Sequence, residues 1–230
     1  MKRYRPPCSV RGCTRLVRSG PAARLCDTHR QRNRRNGDPS VRASVRKKEL
    51  KPYVTEVRRL IRRRNRDQIE SALIQIHSNL LDDQRNAVAM REKSHFRGPR
   101  WAQQASHELV RVLVDVDPVE SAFTIGALYL MRQREPYRFP SDTSFVFALV
   151  RAWRKQTDLS YTSYWDNDAG RVKKKPRELS PRTVVTIAEL LIDAYARFLG
   201  LVMLSESREE EARRDIQKNL AVGFAYSTPS

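Results

Sequence analysis

Four residues near the start of the chain have the types and the spacing of a metal site. Cys8, Cys13, Cys26 and His29 follow the pattern Cys-x4-Cys-x12-Cys-x2-His and include all three cysteines of the 230 residues. Thiolate sulfur and imidazole nitrogen are preferred ligands of structural Zn²⁺, and four of them complete a tetrahedral site. A segment this short and polar buries too little apolar surface to order itself, so the metal would supply folding free energy. The spacing therefore predicts a structural zinc centre.

The same residue types allow other interpretations. Free cysteines are often small buried residues, and a lone histidine more often lies on the surface or in the core than on a metal. A disulfide would leave one thiol over, and the absence of cysteine after Cys26 is not typical of a disulfide-rich secreted protein. A catalytic zinc is disfavoured because four protein ligands leave no open position for water.

The net charge of the chain is concentrated around this cluster. The whole chain has 45 basic and 26 acidic side chains, and residues 1–66 contain 22 of the basic and only 4 of the acidic ones. The remaining residues are almost neutral. Such segregation indicates a polyanionic partner, because neutralised phosphates release their counterions. The alternative of a membrane surface is disfavoured, since no basic amphipathic helix with bulky aromatic residues and no lipidation signature is present.

Arginine predominates over lysine in this basic region. Its planar guanidinium can hold a phosphate or a guanine edge with two hydrogen bonds, which lysine cannot do. Any single arginine could belong to a solvated face, but the cluster as a whole favours binding to nucleic acid, most simply double-stranded DNA. The predicted nucleic-acid-binding residues are Arg30, Arg32, Arg34, Arg35, Arg42, Arg46, Lys47, Lys48, Arg58, Arg62, Lys173, Lys174 and Lys175.

The segment 8–39 resembles a known group of small domains. Gly12-Cys13, Leu25-Cys26-x-x-His and Gly37-Asp38-Pro39 are similar to the treble-clef-type zinc fingers of bacterial and phage DNA-associated proteins. The resemblance implies that the first two cysteines lie on a knuckle and that Cys26 and His29 lie at the start of a helix. It also implies that this helix carries the arginines that follow His29.

Several relatives of this finger accompany HNH-type nucleases. The resemblance therefore raises the question of whether this chain is a nuclease. Those nucleases need a histidine base beside metal-binding histidine and asparagine residues on a hairpin and a helix. His77, His95 and His107 are instead widely spaced in helix-like sequence. We therefore do not expect nuclease activity of this type.

The rest of the chain is predicted to be mainly α. We divide it into a basic zinc finger at 1–38, a basic linker at 39–51, a helical domain at 52–225 and a tail at 226–230. The predicted helices run over about 52–64, 67–93, 101–116, from Pro118 to before Pro136, and from Ser141 or Asp142 onward. The sequence Asp117-Pro118-Val119-Glu120 supports one of these starts, with an Asp cap, Pro at the first position and Glu at the third.

One β-hairpin is predicted at 161–175. Tyr161 to Trp165 is rich in strand-forming residues, residues 166–170 form a turn, and the return arm contains three lysines. The hairpin could grip nucleic acid as a wing, or it could be an exposed loop with a solvated charge run. A calcium loop at 166–170 is excluded, because the EF-hand pattern needs a further oxygen ligand and a Glu at the position of Pro176.

The final helix is predicted to begin at Ser180-Pro181. It is apolar on most sides from Val184 to Leu204, which predicts burial at the centre of the domain or in a dimer interface. Glu189, Asp193 and Arg197 form one polar line and argue against a membrane span. Residues 205–218 are predicted to form a separate acidic helix on the surface. The helical domain would thus provide a homodimer contact or a surface for a protein partner.

These features predict a non-enzymatic, zinc-dependent DNA-binding protein, a transcriptional regulator or an accessory factor of a phage or mobile element. We expect it in the cytoplasm, associated with the nucleoid, because Met1-Lys2-Arg3 does not lead into an apolar run. One alternative is a metal-dependent nuclease or recombination enzyme that uses Asp115 and Asp117. Another is an RNA-binding or ribonucleoprotein component.

Overall fold

The fold is mainly α, as predicted. The structure is a computed structural model that describes residues 5–17, 23–62, 65–93 and 98–225. It is 69% helical, and its described residues include seven α-helices and one two-stranded antiparallel hairpin. The elements are α1 Asp27–Asn36, α2 Lys47–Arg62, α3 Arg66–Lys93, α4 Arg100–Leu113, α5 Pro118–Arg134, a 3-10 turn Pro136–Arg138, α6 Asp142–Arg154, a 3-10 turn Asp158–Ser160, β1 Tyr161–Asp166, β2 Arg171–Pro176 and α7 Pro181–Ala225.

Helix α2 begins at Lys47, earlier than the predicted start at Pro52. Two contacts account for the difference. The carboxylate of Glu49 accepts a hydrogen bond from the backbone N–H of Arg46 at 2.7 Å, and this bond caps the start of the helix. Leu50 is buried in the core, so packing holds the first turn in place. The last part of the predicted linker is therefore helical, and the proline lies inside the helix.

The start of α5 agrees with the sequence. The side chain of Asp117 accepts a hydrogen bond from the backbone N–H of Glu120 at 2.8 Å, and Pro118 is the first helical residue. The cap satisfies a donor that the first turn leaves unpaired, and proline has no N–H to satisfy there. Ser141 caps α6 in the same way, through a bond from the N–H of Ser144 at 3.2 Å.

Helix α5 lies at the centre of the bundle and packs against α2, α3, α6 and α7. Every residue from Ser121 to Met131 is buried except Tyr129, which is half-buried. Gly126 allows this close packing, because a Cβ there would lie 3.3 Å from the ring of Phe198 and 3.5 Å from Val57. The helix that is buried on all sides is thus α5.

The prediction that the last helix lies at the centre of the domain is wrong, and its burial in a dimer interface stays a prediction. Helix α7 buries one face against the bundle, and Glu189, Asp193 and Arg197 are exposed on another, in the predicted polar line. Leu204 is 61% exposed. No helix in the part of the chain that the structure describes has the length and apolar character needed to cross a bilayer. The predicted tail at 226–230 lies outside the described residues.

The predicted surface helix at 205–218 is also wrong in its first turn. Helix α7 continues without a break, and both Ser205 and Glu206 are buried. The carboxylate of Glu206 accepts a hydrogen bond from Nε of Arg134 on α5 at 2.8 Å. A buried carboxylate needs such a partner, so the acidic composition did not indicate exposure here.

The core contains a polar network around His77, one of the three histidines that do not fit the nuclease pattern. Nε2 of His77 lies 2.8 Å from the carbonyl oxygen of Leu113, and Nδ1 lies 3.4 Å from the hydroxyl of Tyr195. His77 is only 5% exposed. Both ring nitrogens have partners within the core, so this histidine has a structural role. His95 lies outside the described residues.

The predicted hairpin is present as β1 and β2. Tyr161 pairs with Pro176 at its base, and Trp165 lies opposite Val172 near its tip. Trp165 and Val172 are 61% and 60% exposed, so the distal half of the hairpin stands away from the core. The turn includes Gly170 at φ +57°, a conformation that glycine adopts readily.

Candidate metal centre

A tight turn presents the first two cysteines. The backbone N–H of Cys8 donates to the carbonyl of Arg15 at 3.0 Å, and that of Cys13 donates to the carbonyl of Val10 at 3.0 Å. Gly12, at φ +76°, provides the left-handed residue of this turn. Both thiols therefore face the same side of a short, hydrogen-bonded loop.

The second pair of ligands lies at the start of α1. Cys26 immediately precedes the helix and is 2% exposed, and its carbonyl accepts the N–H of Arg30 at 2.8 Å. One helical turn then places His29 beside Cys26. Cys26 and His29 thus lie at the start of a helix.

The four ligand atoms form a compact group within 4.8 Å of one another. Nδ1 of His29 lies 3.3 Å from Sγ of Cys8 and 3.4 Å from Sγ of Cys26, and the sulfurs of Cys13 and Cys26 are 3.9 Å apart. A tetrahedral ion with metal–sulfur bonds of about 2.3 Å and metal–nitrogen bonds of about 2.1 Å separates its ligands by about 3.5–3.8 Å. The cluster therefore has the dimensions of a tetrahedral metal site.

The surroundings of Cys8 favour the thiolate that a metal requires. Burial by itself would raise the pKa of Cys8, but backbone hydrogen bonds from Cys26 and Val10 and a contact with His29 outweigh it. The N–H of Cys26 lies 3.4 Å from the Cys8 sulfur. The pKa of Cys8 falls from 9.0 to about 6. A thiolate is then accessible at neutral pH.

Cys13 shows the opposite shift. A backbone hydrogen bond at Arg15 lowers its pKa, but burial and the neighbouring sulfurs of Cys8 and Cys26 outweigh that bond and raise the pKa above 9.0. Adjacent thiolates repel each other, and a divalent cation between them removes this repulsion. Three thiols and one imidazole at these distances can therefore hold a metal ion.

The end of α1 connects the group of four candidate ligands, called the metal cluster below, to the helical bundle. Asn36 is 8% exposed; its Nδ2 donates to the carbonyl of Val41 at 2.9 Å, and its Oδ1 accepts from Nη1 of Arg151 on α6 at 3.1 Å. Gly37 ends α1 at φ +72°. Asp38 accepts a hydrogen bond from the hydroxyl of Ser141, the cap of α6, at 3.0 Å. The Asn-Gly-Asp segment is thus the joint between the bundle and the segment with the Cys/His cluster, which we call the finger for its predicted zinc site.

Some of the predicted nucleic-acid-binding side chains have carboxylate partners. These are Arg30 with Asp27, Arg34 with Glu178, Arg58 with Glu120, Lys173 with Asp166 and Lys174 with Asp158. Arg58 also lies 5.8 Å from the centre of the Phe123 ring. A phosphate would have to compete with these contacts.

The other predicted cations form no ion pair with any residue that the structure describes. They are Arg32, Arg35, Arg42, Arg46, Lys47, Lys48, Arg62 and Lys175. Within the segment between α1 and α2 and the first turn of α2, four of these side chains are exposed and close in sequence: Arg42, Arg46, Lys47 and Lys48. This basic segment follows directly on the joint that fixes the metal cluster.

The sequence did not single out a group of cations on α6 and after β2. Arg151, Lys155 and Arg177 line a cleft of about 370 Å³, to which α1 contributes Arg34 and Arg35. No local pattern connects these residues, since three separate parts of the chain provide them. Only charge density within α6 could have drawn attention to them.

The carboxylates of the alternative nuclease site have other partners. Asp117 caps α5, as described above. The carboxylate of Asp115 accepts a hydrogen bond from the hydroxyl of Thr157. The capping of α5 therefore accounts for the position of Asp117, and the contact with the Thr157 hydroxyl accounts for that of Asp115. Neither contact points to a shared metal ion.

Comparisons with known proteins returned no relative. No family model, no curated protein and no solved structure matches this chain. The likeness to treble-clef fingers thus depends on the Cys/His spacing and on the geometry of the four ligands.

Proposed function

We propose that this chain is a zinc-dependent DNA-binding protein that contacts double-stranded DNA through the finger and the basic segment after it. The observation that carries the proposal is a run of exposed cations, after the joint at the end of α1, that form no ion pair with any described residue. Arg42, Arg46, Lys47 and Lys48 lie between the finger joint and the body of α2. Phosphate groups would provide counter-charge to these side chains, of which only Arg46 has a carboxylate, Glu49, close to it among the described residues.

Zinc is the metal that best suits this donor set. Three thiolates and one imidazole in tetrahedral arrangement are typical of structural zinc, and four protein ligands leave no position for a reacting water. Bound zinc would supply folding free energy to residues 8–36. Cys8, Cys13, Cys26 and His29 would hold it, and α1 would present its arginines in a fixed direction.

The regulatory or mobile-element role that we favour follows from the contrast between a strongly basic N-terminal region and an almost neutral helical bundle. The part of the chain after residue 66 is almost neutral overall, and the exposed part of α7 is available for a homodimer or a protein partner. A factor that binds DNA with one end and a protein with the other would suit transcriptional control, or an accessory step of a phage or mobile element.

Salt dependence of binding tests the proposal. We expect the full-length, zinc-loaded chain to bind a short DNA duplex, with an affinity that falls about 10³-fold or more between about 50 and 200 mM salt. Fluorescence anisotropy measures this directly. The variant Arg42→Gln/Lys47→Gln should bind more weakly and reduce the slope of log K against log salt by about 2.

The matched control removes two positive charges elsewhere. Arg85→Gln/Lys93→Gln changes two exposed residues of α3 and should leave both affinity and slope unchanged. Competition by duplex RNA of equal length separates the two polyanions. Preference for RNA would overturn the DNA assignment, and affinity independent of salt would overturn nucleic-acid binding altogether.

A further inference from the structure

A basic cleft lies where the finger, the end of α6 and the base of the hairpin meet. Its volume is about 370 Å³. Helix α1 contributes Arg34 and Arg35, the end of α6 contributes Arg151, Arg154 and Lys155, and the end of β2 and the residue after it contribute Lys175 and Arg177. Glu178 is the one carboxylate among the described lining residues. The cleft thus concentrates positive charge from three parts of the chain.

Two of these cations already have partners that hold them in place. Nε of Arg154 donates to the buried carboxylate of Glu108 at 2.6 Å, and its Nη2 donates to the carbonyl of Arg177 at 2.9 Å. Arg34 pairs with Glu178 at the rim. These contacts make the wall rigid without neutralising the rest of the cleft.

Other cations of the lining have no acidic partner within the described part of the chain. Arg35, Lys155 and Lys175 form no ion pair there, and Arg151 bonds only to the uncharged amide of Asn36. Nε of Arg177 is buried and has no hydrogen-bond partner among the described residues. The cleft therefore holds cationic side chains that no carboxylate in the described part of the chain pairs with.

The electrostatic effect of this crowding is visible in two side chains. Burial lowers the pKa of Arg151, and the nearby charges of Arg35 and Arg154 lower it further. Burial and then the charge of Arg151 lower the pKa of Lys155. Like charges held close together in a partly desolvated site attract an anion strongly.

The cleft also has an apolar side. Phe147, Val150 and Val184, together with Leu179, contribute to its lining, and the aromatic ring of Tyr161 lies at the base of the hairpin. A site for inorganic phosphate alone would not need such a surface. Aromatic and apolar side chains are the usual partners of an unstacked base.

We propose that this cleft binds one unpaired nucleotide of the nucleic-acid strand. Its phosphate contacts Arg35, Arg151 and Lys155, and its base lies against Tyr161 and the apolar lining. The proposal rests on the function proposed above and adds a preference for DNA with a single-stranded end. The volume of the cleft suits one small organic group, and a base that is already unpaired can enter it without the unpairing and unstacking cost that a paired base would have to meet.

The test compares a blunt duplex with the same duplex bearing a short single-stranded overhang. Full-length, zinc-loaded protein should bind the overhang duplex about tenfold more tightly, because stacking and one phosphate contact are added. Lys155→Gln/Arg177→Gln should abolish this preference and keep the affinity for the blunt duplex. The control Arg85→Gln/Lys93→Gln on α3 should keep the preference.

A second pair of variants tests the base contact and does not alter charge. Tyr161→Phe keeps the aromatic ring and should keep the preference for the overhang, whereas Tyr161→Leu should lose most of it. Circular dichroism establishes that each variant is folded. If Lys155→Gln/Arg177→Gln unfolds, the comparison of Tyr161→Phe with Tyr161→Leu decides the question.

The failures of the two proposals give different results. If the parent binds both duplexes equally, or if Lys155→Gln/Arg177→Gln retains the preference, the cleft proposal is overturned and DNA binding stands. If the parent binds neither duplex, both the DNA-binding proposal and the cleft proposal are overturned as stated. Calorimetric titration with a nucleoside monophosphate then shows whether the cleft binds a free nucleotide. Saturable binding that Lys155→Gln/Arg177→Gln loses would assign the cleft to a free nucleotide.

Discussion

Gly37 packs directly against Phe147 where the finger meets α6. A Cβ at position 37 would lie 2.7 Å from Cδ2 of Phe147 and 2.8 Å from the carbonyl oxygen of Thr143, closer than real atoms approach. Gly37 also has φ +72° and ends α1 by donating its N–H to Asn33 at 2.8 Å. Glycine is needed there for its backbone conformation and for its lack of a side chain.

Gly37→Ala should therefore loosen the joint between finger and bundle. We expect a loss of about 1–2 kcal/mol from the left-handed backbone and about 1–3 kcal/mol more from the clash. Urea denaturation followed by circular dichroism measures the free energy of unfolding. Gly170→Ala provides the control, since Gly170 has φ +57° and nothing within 4 Å of its Cβ position. Equal losses in both variants would contradict the proposed steric contact.

Cys26→Ser should release the metal. The side chain of Cys26 lies among the other three ligands, and serine is a poor zinc ligand. We expect one zinc per parent chain by elemental analysis and a large loss in the variant. Most of the circular dichroism signal should remain, because α1 is a short part of a largely helical chain. Affinity for duplex DNA should fall with the metal content.

Ser9→Ala serves as the control for that substitution, because Ser9 is exposed on the same turn and offers no thiol. It should keep its zinc and its DNA affinity. A parent protein that contains no stoichiometric zinc after purification without chelators would contradict the metal assignment. A Cys26→Ser variant with unchanged DNA affinity would exclude the finger from the contact.

Acid should weaken the bundle through Glu56. Hydrogen bonds from Arg59 and Arg134 outweigh burial and lower the pKa of Glu56 from 4.5 to about 2. The stabilisation is present above pH 4.5, where the carboxylate is charged in both states, and it is lost as the pH falls towards 2. Because solvent partly screens this site, we expect the lowered pKa of Glu56 to contribute about 1–2 kcal/mol to the free energy of unfolding.

Glu56→Gln should thus lower the free energy of unfolding at pH 7 and flatten its decline between pH 4.5 and 2. Urea denaturation at a series of pH values measures both effects. Asp83→Asn is the control, because Asp83 is exposed on α3 and has no ion pair among the described residues. An unchanged acid profile in Glu56→Gln would rule out this linkage.

Local patterns explain which features could be predicted from the sequence. The metal cluster depends on four residues within one short segment, and the start of α5 depends on Asp117 and Pro118, which are adjacent. Hydrogen bonds and ligand geometry over such distances leave a direct trace in the residue order. The hairpin was predictable for the same reason, since its strands and turn are contiguous.

Features that depend on packing between distant segments left no such trace. Glu206 is buried because Arg134, 72 residues earlier, donates to it. The cleft residues Arg35, Arg151 and Arg177 come together only in the folded chain. The apolar character of α7 suggested a central helix, but α5, with small residues such as Gly126, fits between four neighbours. Helix composition alone does not determine which helix occupies the centre.

The joint formed by Asn36, Gly37 and Asp38 has a consequence for how the chain would search for a target. A finger on a slack tether must lose orientational freedom each time a second contact forms, and its effective local concentration depends on tether length. Here the hydrogen bonds to Arg151 and Ser141 have already fixed that orientation before any encounter. The finger and α6 would therefore meet DNA as one preorganised unit, with an orientation set by hydrogen bonds inside the protein.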